Sequence, residues 1–591
     1  LEEKYVMKVF RDLWWFFKQE KKSYILGILV LICVNLLILF PPYVVGVVVD
    51  SIQQETFTMQ QLGKWVGLLL LSGGIIYVLS YVWRLLIFGS AVKLQRQLRD
   101  QLFAHFTKMS PRFYQKRRIG DLMAHATNDI QAIEGTAGEG ILTLVDSIAM
   151  GGLVILTMAS TISWKLTLIC LIPMPIMAVA TSYYGSKLHE RFHKAQAAFA
   201  DLNDKVQENV SGVRVVKAFG LEEAEKESFR QKSEDVVQKN VAVAKIDALF
   251  EPTIIFVVGM SFFLAIAFGA VYVVQEEMTL GQLTAFTIYL GRLIWPMLAL
   301  GFLFNIVERG RASYDRIQSL LSVKPDIVDK EGAIDEVPSG DLVYAVDTFH
   351  YPDTETPALK DIHFTLAQGQ TLGIVGKTGS SKTTLLKLLL REFDCKDGDI
   401  TIGGTSIYDY KLGSLRAAVG YVPQDHFLFS ANVAENIAFG KPEATREEIV
   451  AAAKLTHVHN DIIGFKDGYE TVVGERGVTL SGGQKQRISI ARALLINPEI
   501  LILDDSLSAV DANTEEAILA ALKHNRAQKT TIISAHRLSA IKHADLILVC
   551  EEGRIVERGS HDTLMALDGW YAATYRSQQL EALVAQGGIR S

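Results

Sequence analysis

The sequence predicts two folds in series, a polytopic α-helical membrane domain of six spans followed by a soluble α/β domain. Three observations carry this. First, 591 residues are too many for one core at roughly 100–200 residues per domain. Second, charge is unevenly spread: residues 1–320 carry 32 Lys and Arg against 28 Asp and Glu, and the remainder 27 against 37. Third, long uncharged apolar runs stop near residue 307, after which short apolar strands alternate with glycine-rich turns. An apolar, mildly basic front and an acidic back exclude a fully soluble enzyme and a disordered chain. They also exclude a nucleic-acid binder, which would want a basic balance.

Residues 1–321 hold the spans. The basic start (Lys4, Lys8, Arg11, Lys18, Lys21, Lys22) leads into an apolar run far longer than the core of a signal sequence, so it is expected to stay as a first span. From Tyr24 to Val49 no charge interrupts the chain, and ~20 residues suffice to cross the hydrocarbon. Pro41 and Pro42 are expected to kink its outer end. Trp65–Val92 carries one charge, Arg84. About Gly140–Trp164 and Leu166–Tyr184 should form an antiparallel hairpin through Ser163–Lys165, and about Ala248–Gln275 and Leu280–Val307 another through Glu276–Glu277.

An even number of spans leaves both ends on one side. The segment 93–139 carries eight Lys and Arg and 188–247 carries ten, whereas 51–61 and 276–278 carry none. Positive residues stay inside, so the termini and both long loops are expected in the cytoplasm. Leu94–Leu98–Leu102 and Val206–Val210 recur at helical spacing. The spans should therefore run on as helical levers, turning near Pro111–Gly120 and Phe219–Glu225.

Charges within spans are costly, which makes Arg84, Asp146, Glu251 and Arg292 functional candidates. They pair with one another, lie in helix extensions beyond the lipid, or line a polar substrate cavity. Phe286, Tyr289, Trp295, Phe302 and Phe304 offer either packing or ligand surface on the sixth span. Cys33, Cys170, Cys395 and Cys550 have no paired spacing, which argues for isolated buried hydrophobes over a disulfide framework or zinc site.

A polar linker at 322–340, with Pro325, Gly332 and Pro338, leads into the second domain, 341–591. Leu372–Val375 is a short buried strand, followed by Gly376-Lys377-Thr378-Gly379-Ser380-Ser381-Lys382-Thr383-Thr384 and the apolar helix Leu385–Leu390. Strand, glycine loop and helix are the context of a phosphate-binding loop. Its N–H groups curl around a phosphate and the helix N-terminus adds partial positive charge. Lys382 suits the β/γ oxygens and Thr383 suits Mg²⁺. Ser381 stands where this motif has its second glycine, at a cost of ~1 kcal/mol if the backbone needs positive φ.

Further pieces of an ATP site follow. Ile500–Leu503 is a second buried strand ending in Asp504 and Asp505, and Asp504 suits the Mg²⁺ shell. Gln424 follows a third strand, within reach of Mg²⁺ and an attacking water. His536 ends another strand, where it can hydrogen-bond a γ-phosphate. Leu480-Ser481-Gly482-Gly483-Gln484 places a hydroxyl and two glycines at a helix start, a second cluster of N–H donors. One ATP does not need two such loops, so this one is expected to close on a nucleotide held by another domain.

In order, the phosphate loop, Gln424, Leu480–Gln484, the Asp504 strand, Ser508–Asp511 and His536 resemble the ATP-binding domain of ABC transporters. With the spans before them, nearly the whole chain resembles a half-size ABC exporter of the type IV fold. The resemblance implies a P-loop α/β ATP-binding domain with an α-helical subdomain, and ATP and Mg²⁺ as cofactors. It also implies Tyr351 stacked on adenine and the loop Gly474–Gly477 touching the partner's membrane levers. Such half-transporters dimerise with two ATP molecules sandwiched head to tail.

Catalytically competent members carry Glu after the strand aspartate, where it polarises the attacking water. Here that position is Asp505. One methylene fewer draws the carboxylate back by ~1.5 Å, and ~1 Å of misplacement can cost ~10²-fold in rate. Asp505 is either a tolerated variant that slows turnover or the mark of a degenerate site. In the second case the chain resembles the BmrC-type degenerate-site subunit of a bacterial heterodimeric multidrug exporter. The expected partners are then a second ABC half-transporter chain, membrane lipid and a hydrophobic small molecule, with no nucleic acid, at the plasma membrane. The same engine also serves lipid or peptide exporters and ATP-gated channels or regulatory subunits.

Overall fold

A computed structural model describes residues 8–352, 354–474 and 480–585, so the expected contact loop Gly474–Gly477 lies, beyond its first residue, outside the described residues. The chain forms two compact units, Leu1–Lys108 with Lys116–Lys324, and Met109–Gln115 with Pro325–Ser591.

Among the described residues of the first unit, five helical stretches are long and apolar enough to cross a membrane: Lys21–Gln53, Met59–Phe106, Ile119–Leu171, Glu222–Val274 and Leu280–Leu321. The expected fourth span is divided. Its first part, Trp164–Leu171, ends at a turn over Ile172 and Pro173, and the 38-residue helix Met174–Ser211 takes up the rest. Pro173 and Pro175 explain the break, because proline removes an amide donor and clashes with the preceding turn. The stretch Ile119–Leu171 is itself interrupted at Ser163, which is extended and accepts the amide of Leu166 at 3.3 Å. Lys165 reaches Glu277 at 3.7 Å, so the two expected outer turns share one end of the unit.

The first span breaks at Leu39 and resumes as Phe40–Gln53, with Pro41 and Pro42 in the opening turn where missing amides cost little. At its far end Asp50 accepts from Thr279 Oγ1 at 2.6 Å and from the amide of Gly281 at 2.7 Å. Both long loops are helical, but the second turn comes earlier than expected. It covers Gly212–Leu221, including the short helix Val213–Phe219 and Gly220 at φ +64°. Glu222, Glu223 and Glu225 instead open the helix Glu222–Asp247, where acidic side chains favour the N-terminal dipole.

Among the described residues none of the four span charges pairs with another. Asp146 accepts from Asn35 Nδ2 at 3.1 Å, and Arg84 lies 5.4 Å from the Trp83 ring centre. Phe286 and Tyr289 are core residues, whereas Trp295, Phe302 and Phe304 are exposed. Three cysteines are buried as expected, but Cys33 is exposed.

The described residues of the second unit form two sheets. The first pairs β1 (Leu342–Phe349) antiparallel with β2 (Leu359–Leu366) and β4 (Asp397–Ile402), and β4 in turn with β5 (Thr405–Ser406). The second has the order β10-β9-β3-β8-β7-β6, built from β3 (Thr371–Gly376), β6 (Val419–Val422), β7 (Ile500–Asp504), β8 (Thr530–Ser534), β9 (Leu546–Glu551) and β10 (Arg554–Gly559). All are parallel except β10. Central strands β7 and β8 are buried throughout, as continuous apolar runs covered on both faces must be.

A separate apolar cluster joins the helices Val433–Ala438, Arg446–Leu455 and His459–Ile463 to Ile488 and Ala491 of Gly482–Leu495. This is the helical subdomain. The expected linker is partly strapped down: the Ile334 amide donates to Asp409 O at 2.8 Å and Lys411 reaches Asp335 at 2.6 Å. Ser110 donates to Asp326 at 3.3 Å, with Arg112 3.7 Å from the same carboxylate.

Candidate ATP-binding site

The phosphate loop leaves the carboxyl end of β3, the edge of a parallel sheet at which ligands bind. Gly376 has φ +150°, and a Cβ there would collide with the Cys550 carbonyl. Gly379 has φ +85° but open space around it, so glycine is favoured there by conformation alone. Ser381 takes φ +72°, ψ 22° and precedes the helix Lys382–Leu389. The expected left-handed strain at this serine is therefore present.

Lys382 is 8% exposed and folds back onto the carbonyl oxygens of Gly376 (2.9 Å) and Lys377 (3.1 Å). Burial lowers its pKa, against the partial support of Cys550, Asp505 and Asp504. Thr383 Oγ1 lies 3.4 Å from Oδ1 of Asp504, which is 2% exposed. Burial pushes the Asp504 carboxyl above its ordinary value. Among the described residues its Oδ2 has no hydrogen-bond partner, and neither has the buried Ser380 hydroxyl. Buried polar atoms are nearly always satisfied, so these two orphans beside an ammonium fit a phosphate and its Mg²⁺.

The remaining predicted residues fall into three groups. Lys377 and Thr378 are exposed on the loop, with Lys377 3.2 Å from Glu551. Thr384 bonds the Tyr351 hydroxyl at 2.9 Å, and the Tyr351 ring meets Phe393 edge-on at 5.1 Å. At the adjoining strand ends, Gln424 Nε2 approaches Asp505 Oδ2 at 3.5 Å. Asp505 has φ +47°, and its amide donates to Ser534 O at 2.8 Å. His536 follows β8 with an exposed ring, its carbonyl accepting Gln578 Nε2 at 2.9 Å.

The Ser481–Gln484 loop is built differently. Ser481 caps Gly482–Leu495 in a capping box with Gln484, whose side chain also donates to Asp461 at 3.1 Å. Among the described residues it makes no hydrogen bond to the phosphate loop, and the capping box occupies the amides of Ser481 and Gln484 but not those of Gly482 and Gly483.

Sequence reasoning missed Gln486, 1% exposed, whose Oε1 accepts the Ala509 amide at 3.0 Å while Nε2 lies 3.4 Å from Ser508. It also missed buried Glu515, which accepts from Ser539 at 3.1 Å and lies 3.5 Å from Arg537, next to His536. A glutamine on the inward face of the Gly482 helix was the available signal for the first. Nothing local marks the second.

A nucleotide loop, a second amide loop and a helical subdomain in one unit, preceded by membrane-spanning helices, define an ATPase-coupled exporter of one membrane region and one ATP-binding region. Residues 24–297 match the family described as "ABC transporter transmembrane region" and residues 359–508 that described as "ABC transporter". Over 575 residues, 97% of this chain and 98% of the relative, it is 49% identical to "Probable multidrug resistance ABC transporter ATP-binding/permease protein YheI" of Bacillus subtilis (strain 168). It is also 49% identical to "Multidrug resistance-like ATP-binding protein MdlA" of Escherichia coli (strain K12), covering 98% of each chain. Its fold is similar to that of a bacterial Atm1-family ABC exporter with ATP bound, with TM-score 0.77, 27% identity and coverage of 95% of this chain and 98% of that one. The chain belongs to the ABC transporter family.

Proposed function

We propose that this chain is the degenerate-site half of a heterodimeric multidrug exporter in the bacterial plasma membrane, with its termini and ATP-binding unit in the cytoplasm. Asp505 carries the reading. A carboxylate one methylene short stands ~1.5 Å back from the water it would polarise, a loss worth up to ~10²-fold in rate. The names of two relatives, which specify multidrug resistance, support the substrate class.

In this reading Gly376–Thr384 cradle the phosphates of ATP, Tyr351 stacks on adenine and Lys382 neutralises the β/γ oxygens. Thr383, Gln424 and Asp504 would hold Mg²⁺, which supplies charge neutralisation on the phosphates. His536 hydrogen-bonds the γ-phosphate. Gly482 and Gly483 present their amides and Ser481 its hydroxyl proton to the nucleotide of a second half-transporter chain, whose own Glu completes the competent site, while Gln484 holds the loop through the capping box. Nucleotide binding favours the closed pair over the open one, and that difference turns the membrane cavity outward. A hydrophobic small molecule entering from lipid is thereby released outside.

The test is purification of the chain alone and with whichever ATPase chain accompanies it from native membrane. Little steady hydrolysis alone, robust hydrolysis together, and ATP-dependent drug accumulation in inverted vesicles only for the pair are expected. Full turnover by the chain alone would refute the division of labour.

A further inference from the structure

The helix Met174–Ser211 carries a pattern that ATP hydrolysis does not use, His189-Glu190-Arg191-Phe192-His193. Histidines four apart on a helix share one face, and with an intervening Glu as base this spacing builds zinc hydrolase sites. Here the rings of His189 and His193 are exposed and face each other edge-on, with centroids 5.2 Å apart and planes at 79°. Two imidazoles on a tetrahedral ion with Zn–N bonds of about 2.1 Å have ring centres about 5.2 Å apart. The ring separation therefore matches that of two imidazoles on one tetrahedral ion, and rotation about the exposed side-chain bonds brings a nitrogen of each to a shared ion.

Glu190 plays no part in it. Its carboxylate turns to Lys194 at 3.0 Å and Lys187 at 3.5 Å rather than to the two rings. Among the described residues no third His, Cys, Asp or Glu completes a three-ligand centre. That argues against hydrolytic chemistry and for a two-nitrogen site with its other positions open to water.

We propose that His189 and His193 form a binding site for a divalent transition-metal ion, clamping two successive turns of this helix. Imidazole ligands suit Cu²⁺, Ni²⁺ and Zn²⁺, with Cu²⁺ the tightest. The test uses the full chain in detergent, purified without a polyhistidine tag and titrated with Cu²⁺ and Zn²⁺ by equilibrium dialysis and Cu²⁺ electron paramagnetic resonance. The expected result is one site with two nitrogen couplings, weakened about tenfold or more in both His189→Gln and His193→Gln, with one coupling lost in each. Glu190→Gln should change the affinity less than twofold. The site is overturned if the double variant binds as the wild type does. It is equally overturned if Glu190→Gln weakens binding as much as either histidine change.

Discussion

The Nε2 of Gln424 lies 3.5 Å from Oδ2 of Asp505, joining the ends of β6 and β7 at the place that the proposed function gives to the γ-phosphate and its attacking water. Asp505 is one methylene shorter than Glu, so its carboxylate reaches less far from the end of β7. Asp505→Glu should extend it by ~1.5 Å and raise ATP hydrolysis by the chain alone by roughly 10- to 100-fold. Steady-state phosphate release checks this, and an unchanged rate would mean that reach is not the limit.

Ser381 provides a second test. A serine at φ +72° pays a conformational cost that glycine avoids, so Ser381→Gly should stabilise the second unit by about 0.5–1 kcal/mol. ATP affinity should not fall, because the loop's amides keep their places. Thermal unfolding and nucleotide titration together check the pair of outcomes, and a lower melting temperature would contradict the assigned strain.

Burial, the main cause, holds the Asp504 carboxyl above the ordinary range, opposed by hydrogen bonds from Thr383 and Ser534. The folded, nucleotide-free protein thus favours the protonated acid more than the unfolded chain does. That contribution to stability is fully present only below about pH 4, the unfolded value, and is lost as pH rises through the higher folded one. At neutral pH the ionised group is a net cost. Asp504→Asn should therefore melt higher than wild type at pH 7, with the gap closing as pH falls, and should lose the extra stability that Mg–ATP confers. A lower melting point at pH 7 would refute this account.

Gly483 is tested through the partner. A Cβ there would lie 3.0 Å from the Ala509 carbonyl oxygen, tighter than ordinary contact. Gly483→Ala should cut ATP turnover of the assembled pair at least tenfold, by displacing the loop that closes on the other chain's nucleotide. ATP binding by this chain's own phosphate loop should be unchanged. Equal loss of both would mean that the substitution disrupts the fold.

Local chemistry explains what the sequence made legible. Hydropathy over twenty residues marks a span whatever it packs against, and the phosphate loop and the Ser481 cap are formed by consecutive residues. The break at Pro173, by contrast, was hidden inside an uninterrupted apolar run. The turn placed at Phe219–Glu225 was displaced because three glutamates there start a helix better than they end a loop. Asp461, Gln486 and Glu515 act through partners more than twenty residues away, so no spacing rule announces them.

The second unit recruits Met109–Gln115 from between two stretches of the first, and Asp326 receives both Ser110 and Arg112. A ribosome finishes that heptapeptide long before Asp326 exists, so its contacts with Asp326 must wait until residues 116–324 are made. Cutting the gene at residue 324 would part these contacts, leaving Ser110 and Arg112 on one fragment and Asp326 on the other. The boundary along the chain is thus not the boundary of cooperative folding.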